Sequence, residues 1–272
     1  MTRALPATHA VVCLPSLDLR ATADHGAELG SQLLMGEVVR LLSATRDRGW
    51  FRLRNEADGY EGWARDWGLV PASAARAARW LARATGQIEV QGGFVRSAPG
   101  GGIGVSPLCY GCRVIAGPRR GKFRRVELPD ARRGWIEARA IRARGVPALE
   151  DRILDLLGAP YLWGGRTPAG YDCSGFVQQL LLEQGVPLPR DAHQQWKACR
   201  PLGKHESPKP GDLAFFSRPG EPMSHVGLAL GSALYAHSRG RVQIAALDKA
   251  NALYDKVLAG QFRGWFRPRS AA

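Results

Sequence analysis

The first half of the chain repeats itself. "GEVVRLL" at Gly36, "WFRLR" at Trp50 and "GWA" at Gly62 return in the same order as "GCRVIAG" at Gly111, "FRRVEL" at Phe123 and "GWI" at Gly134. Glycine-to-glycine spacings of 26 and 23 residues fit a divergent tandem duplication. Each copy, over 1–72 and 86–146, consists of short apolar runs broken by Gly, Asp and Asn. That pattern spells short strands joined by tight turns, the grammar of a small β-barrel. Between the copies, "SAARAARWLARA" is built from strong helix formers and reads as a linker helix within 73–85.

From 147 onward the periodicity changes. "PALEDRILDLLG" sets Leu149, Ile153, Leu156 and Leu157 on one helical face between an opening proline and a closing glycine. "CSGFVQQLLLEQG" from Cys173 reads as a second, more deeply buried helix. Then "GDLAFF", "HVGLAL", "ALYAHS" and "RVQIAA" follow as strands. Helices followed by strands predict an α+β domain over 147–272.

Composition narrows the classes. With 45% hydrophobic and 23% charged residues, the chain has the makings of packed cores and is no disordered segment. No stretch approaches the roughly 20 apolar residues of a membrane span. The opening "MTRALPATHAVVCLPSLDLR" is interrupted by His9, Pro15 and Asp18, so it does not read as a secretory leader. The expectation is a cytoplasmic protein, or a secreted one if a leader has been removed. Five cysteines in 272 residues make no disulfide framework. Cys109-x-x-Cys112 invites a metal or redox reading, but it lacks the second pair of a four-ligand zinc site, so neither use is expected there.

Three residues carry chemistry. Cys173, in "YDCSGF", opens a helix, where free N–H groups and the helix dipole stabilise a thiolate. His225 opens "HVGLAL" and His237 ends "ALYAHS". If these strands are antiparallel neighbours turning at Gly231–Ser232, both imidazoles lie at one end of the pair. One then serves as base to the thiol and the other orients it, the nucleophile–base–orienter set of a cysteine hydrolase.

The run "YLWGGRTPAGYDCSGFV", "LPRDAHQQ", "PKPGDLAFF", "SHVGLAL" and "YAHS" resembles the NlpC-type bacterial cell-wall peptidases, papain-like enzymes with chain order Cys–His–His. The upstream copies resemble bacterial Src-homology-3-like domains, which commonly precede such enzymes. The resemblance implies a papain-like α+β domain behind two small SH3-like β-barrels and a reaction that needs no cofactor. It casts Cys173 as nucleophile, His225 as general base and later acid, and His237 as the orienting residue. Tyr161 is implied as the hydroxyl that helps bind the oxyanion beside the Cys173 N–H. The implied reaction is hydrolysis of the γ-D-glutamyl–diaminoacid bond of peptidoglycan stem peptides, with free peptides bearing N-terminal L-Ala favoured over intact wall. Asp172 and Asp191 are candidates for pairing with the substrate ammonium, Ser174 for the D-Glu portion, and Arg190 for a carbonyl or carboxylate. Asp191 reads equally well as a turn or cap residue. From the first module, Tyr60 resembles the aromatic that seals the groove, and Glu28 is a candidate second carboxylate. Ala192 stands where the family often has Ser, and Asp212 reads as structural.

Two alternatives stay open. One is a papain-like amidase or acyltransferase acting on cell-wall material. The other is a non-catalytic protein that binds an anionic polymer. Net charge is +14, and most of it sits in one segment: residues 76–147 carry 15 basic and 4 acidic groups, net +11. That segment is a candidate docking surface for an anionic polymer, or simply a solvated Arg-rich face. Nucleic acid is not favoured as the partner.

Overall fold

The computed structural model describes residues 7–269 apart from Arg48, Ala143, Arg144 and Ser232. The first six residues of the N-terminal stretch, and Ser232 of the expected hairpin turn, lie outside them. The chain divides into two compact units, Met1–Gly145 and Val146–Ala272.

The first unit contains both copies of the repeat. Copy one forms a seven-stranded sheet in the order Leu29–Leu34, Ser16–Arg20, Glu61–Arg65, Trp50–Asn55, Val38–Ala44, His9–Val12, Leu69–Ala72. Copy two forms a six-stranded sheet, Gly101–Cys109, Gly92–Ala98, Arg133–Glu137, Phe123–Glu127, Arg113–Arg120, Gly86–Gln87. The duplication holds in detail. Arg20 pairs with Trp63 in one sheet and Arg96 with Trp135 in the other. The preceding glycines are equivalent in crowding. A Cβ on Gly62 would strike the Leu19 side chain, and one on Gly134 would strike the Arg96 carbonyl and Val95. A single 3-10 turn follows each, Asp66–Gly68 and Ala138–Ala140. Alternation buries Leu19, Leu33, Val39 and Leu53 in one core and Val95, Val114, Val126 and Ile136 in the other. Among the described residues no ladder joins the two outer strands of either sheet, so closure of each into a barrel is not shown.

Helix α1 (Ala74–Arg83) stands where the linker helix was expected. Ser73 caps it, its side chain accepting from the Arg76 N–H at 3.3 Å. Its Trp80 indole donates to the Gly36 carbonyl at 2.9 Å, and Ala77, Trp80 and Ala84 cluster with Val11 and Val38. Met35 of copy one lies fully buried in the core of copy two. The repeats are therefore one body joined by shared burial.

The second unit places helices against an antiparallel sheet. Its helices are α2 (Leu149–Leu156), α3 (Cys173–Glu183), α4 (Ala192–Lys197) and α5 (Lys256–Gln261). Its strands, labelled here β1 (Cys199–Pro201), β2 (Leu213–Phe216), β3 (His225–Gly231), β4 (Leu234–Arg239), β5 (Arg241–Ala246) and β6 (Phe262–Pro268), run in the order β1-β6-β2-β3-β4-β5. Leu149, Ile153 and Leu156 are buried as expected, but α2 ends before Leu157, which is 42% exposed. Helix α3 is buried nearly all round, as its continuous apolar run predicts, and packs on β3 and β4. Asp212 is structural: it accepts from the Lys209 N–H and takes both Nε and Nη2 of Arg267 at 2.8 Å, tying β6 to the turn before β2.

Candidate active site

Cys173 is the first residue of α3, and the helix is pinned there by its cap. The Asp172 carboxylate accepts from the Gly175 N–H at 2.7 Å, the usual service of an N-cap aspartate. It also accepts from the Gly164 N–H at 2.9 Å, which ties the loop 161–171 to the helix start. Arg190 closes on it with both Nη1 and Nη2, at 3.0 and 2.6 Å, and donates to Ser174 Oγ at 2.9 Å. Gln195 donates from Nε2 to the carbonyls of Ser174 and Pro189, fastening α4 to the same corner.

The thiol faces the start of β3. Cys173 Sγ lies 4.0 Å from the Ser224 carbonyl and accepts from the Val226 N–H, so it touches the backbone on either side of His225. Across β3 and β4, His225 Nε2 and His237 Nδ1 are 2.9 Å apart. That bond occupies one nitrogen of His225 and leaves Nδ1 as the one able to take the thiol proton. Nε2 then carries hydrogen and donates to His237. Both histidines thus meet at one end of the strand pair, as their spacing predicts.

Burial sets the protonation. It pushes His225 down to about 3, helped by His237, and His237 down to about 4. At the helix start burial, then the Asp172 charge, push Cys173 up to about 12, while Arg190 and the Val226 and Ser174 backbone act the other way. The helix end is already capped by a carboxylate, and the thiol is only 7% exposed, so desolvation outweighs the dipole. Tyr161 is raised to about 12 by burial and by the nearby Cys173 and Asp172. Its hydroxyl therefore keeps its proton at neutral pH.

The candidate substrate residues fare differently. Arg190 is 1% exposed and Asp172 7%, and each is engaged by the other. Together they hold the start of α3 in place. Ser174 is likewise buried beneath Arg190 and Asp172. Asp191 precedes α4, is half-buried, and makes no side-chain cap bond to that helix. In the first unit, the Tyr60 hydroxyl lies over Gly30, two residues from the exposed Glu28, so these two belong to one patch of that unit. The Asp172–Arg190 clamp escaped sequence reasoning as a clamp, although Asp directly before a helix is itself a cap signal. Among the described residues no group of three or more His, Cys, Asp or Glu side chains is placed to hold a metal ion.

Comparisons with known proteins agree with this geometry. Residues 158–261 match the NlpC/P60 family, and residues 19–68 match the bacterial dipeptidyl-peptidase Sh3 domain. A gamma-D-glutamyl-L-lysine dipeptidyl-peptidase of Bacillus subtilis is 39% identical over 105 residues, covering 38% of this chain and 35% of that protein. A protein of Mycobacterium tuberculosis named "Probable endopeptidase" is 33% identical over 112 residues, covering 40% of this chain and 28% of its own. The matched stretch thus spans about a third or less of these curated relatives. The crystal structure of an NlpC/P60 family protein from Bacillus cereus superposes with TM-score 0.80 at 18% identity, over 95% of this chain and 98% of that one. An NlpC/P60 endopeptidase from Photobacterium damselae subsp. piscicida gives TM-score 0.70 at 14% identity, over 96% and 70%. At such identities the two structures speak for the fold alone. The second unit, with its Cys173, His225 and His237, accordingly carries an NlpC/P60 domain over residues 158–261, and residues 19–68 ahead of it match a bacterial SH3 domain.

Proposed function

We propose that the chain hydrolyses the γ-D-glutamyl–diaminoacid bond of peptidoglycan stem peptides, acting on free peptides with N-terminal L-Ala. The observation that carries this reading is the single cluster of Cys173, His225, His237 and the protonated Tyr161 hydroxyl. The B. subtilis relative, named for a γ-D-glutamyl-L-lysine bond, supports the choice of bond. His225 Nδ1 takes the thiol proton as Sγ attacks the γ-carbonyl. The oxyanion is held by the Tyr161 hydroxyl and the Cys173 N–H. The proton then passes from His225 to the departing amine, leaving a thioester that water hydrolyses with His225 as base. Asp191 is the proposed partner of the substrate ammonium.

The test is hydrolysis of L-Ala-γ-D-Glu-diaminoacid peptide, its N-acetylated form and intact sacculi, with products identified by mass. Release of the diaminoacid from the free peptide, and little from the other two, is the expected result. Cleavage at the muramoyl amide, or preference for sacculi, overturns it. Cys173→Ala should abolish turnover. Tyr161→Phe should lower kcat about 10²–10³-fold, with KM little changed, as loss of one oxyanion donor does.

A further inference from the structure

Of the five thiols, Cys173 belongs to the peptidase site. Two of the others face each other in the second repeat. Cys109 Sγ and Cys112 Sγ are 3.6 Å apart at the turn that joins Gly101–Cys109 to Arg113–Arg120. The Cys112 N–H donates to the Cys109 carbonyl at 3.1 Å, and Gly111 takes φ +89°. These are the closing bond and the left-handed third residue of a β-turn, which holds its first and fourth Cα atoms within about 7 Å. A disulfide needs about 4.4–6.8 Å between the same atoms. The two residues can therefore be bridged without unfolding the hairpin.

We propose that Cys109 and Cys112 form a redox-active dithiol, a site that reduces a small-molecule disulfide while closing its own turn with an intramolecular disulfide. The pair is asymmetric in the way such chemistry requires. Cys109 is partly exposed, and Cys112 is completely buried behind it. Cys109 is the sulfur a reagent reaches, and Cys112 the one that resolves. The bond from Cys112 holds the Cys109 thiol below the ordinary range, while the same bond and burial push Cys112 well up. Burial raises the other three: Cys13, and Cys173 and Cys199 to about 12. Cys109 is thus the one thiol of the five whose pKa is held down.

The exchange balances in two steps. Cys109 thiolate attacks the reagent, forming a mixed disulfide and expelling one small thiolate. Cys112 loses its proton, attacks the Cys109 sulfur and expels the second. Two electrons and two protons pass from the dithiol to the reagent, which leaves as two thiols. The change is felt between the repeats. Both sulfurs lie at the Pro15 carbonyl of copy one, at 3.6 and 3.4 Å, and oxidation removes the thiol hydrogens that can be donated there.

The full chain is treated with glutathione disulfide, quenched with iodoacetamide under denaturing conditions, and mapped by mass. The peptide bearing Cys109 and Cys112 is expected to lose two hydrogens and take no alkyl group, while Cys13, Cys173 and Cys199 are alkylated. In Cys112→Ser, Cys109 is expected to accumulate as the glutathione mixed disulfide. The proposal is overturned if both cysteines of the wild-type chain remain alkylatable where free dithiothreitol is oxidised. It is overturned equally if wild-type Cys109 stops at the mixed disulfide. The wild-type map needs no variant to fold.

Discussion

Arg190 and Asp172 face each other almost out of contact with water, and the geometry of the nucleophile depends on that pair. Asp172 holds the Gly164 and Gly175 N–H groups on either side of Cys173, so its charge must be matched inside the fold. Removing the guanidinium strands a buried carboxylate, at a cost of about 3–5 kcal/mol. Arg190→Met is expected to lower the denaturant midpoint, and adding Asp172→Asn to recover part of it. A double variant no more stable than Arg190→Met alone would show that the two groups are not coupled. The histidines give a second expectation, in pH. In the unfolded chain they titrate near 6.5, but in the fold burial holds them to about 3 and about 4. Between 6.5 and those values the unfolded chain binds more protons, so stability is whole above pH 6.5 and falls as pH drops through this window. Unfolding at pH 7, 6 and 5 should show the fall, and His237→Asn should flatten it. An equal slope in the variant would remove His237 from the account. At this scale the nucleophile and both histidines were legible, because residue type and strand register suffice to gather them. The fate of Asp172 and Arg190 was not, since a carboxylate's partner 18 residues away is settled only by packing.

Elements were legible in proportion to their periodicity. Helices α1, α2 and α3 and strands β2 to β5 all stand where apolar runs and turn residues place them. The short α4 and α5 and the neighbouring strands β1 and β6 carry no such pattern. "AHQQWK" and "KVLAGQ" are single-turn helices fixed by what they pack on, and α5 begins only because Asp255 caps the Val257 and Leu258 N–H groups. Helix α1 shows how one side chain makes an element structural. Its polar face is solvated, but Trp80 is 9% exposed and its indole satisfies the Gly36 carbonyl. Trp80→Ala is expected to cost about 3–5 kcal/mol in urea unfolding of the first unit, as loss of a buried aromatic does. Trp80→Phe should cost less, because it keeps most of the apolar contact and loses the hydrogen bond. Equal losses would show that the bond to Gly36, and not the burial, sustains the helix.

At the scale of the whole molecule the charge is unevenly laid. Net +11 falls on residues 76–147, and the paired strands Arg113–Arg120 and Phe123–Glu127 concentrate it. Arg119 stands directly opposite Arg124, with Arg120 and Arg125 beside them. The ion pairs of this module, Arg132–Asp130, Arg133–Glu127, Arg139–Glu137 and Arg142–Glu89, leave these four out. Like charges facing across a ladder repel, and salt screens them within about 10 Å at 0.1 M. The Tm of the first unit is therefore expected to rise as salt is added from low ionic strength. Gln at 119, 120, 124 and 125 should raise Tm in low salt and shrink the salt response. The same variant tests the hairpin as a seat for an anionic polymer, whose affinity would fall steeply with salt through release of counterions. With polyglutamate as probe, a seat at the hairpin predicts that the four substitutions weaken binding and flatten its salt dependence. Binding that keeps both strength and salt slope would place the polymer elsewhere and leave the arginines as a solvated face.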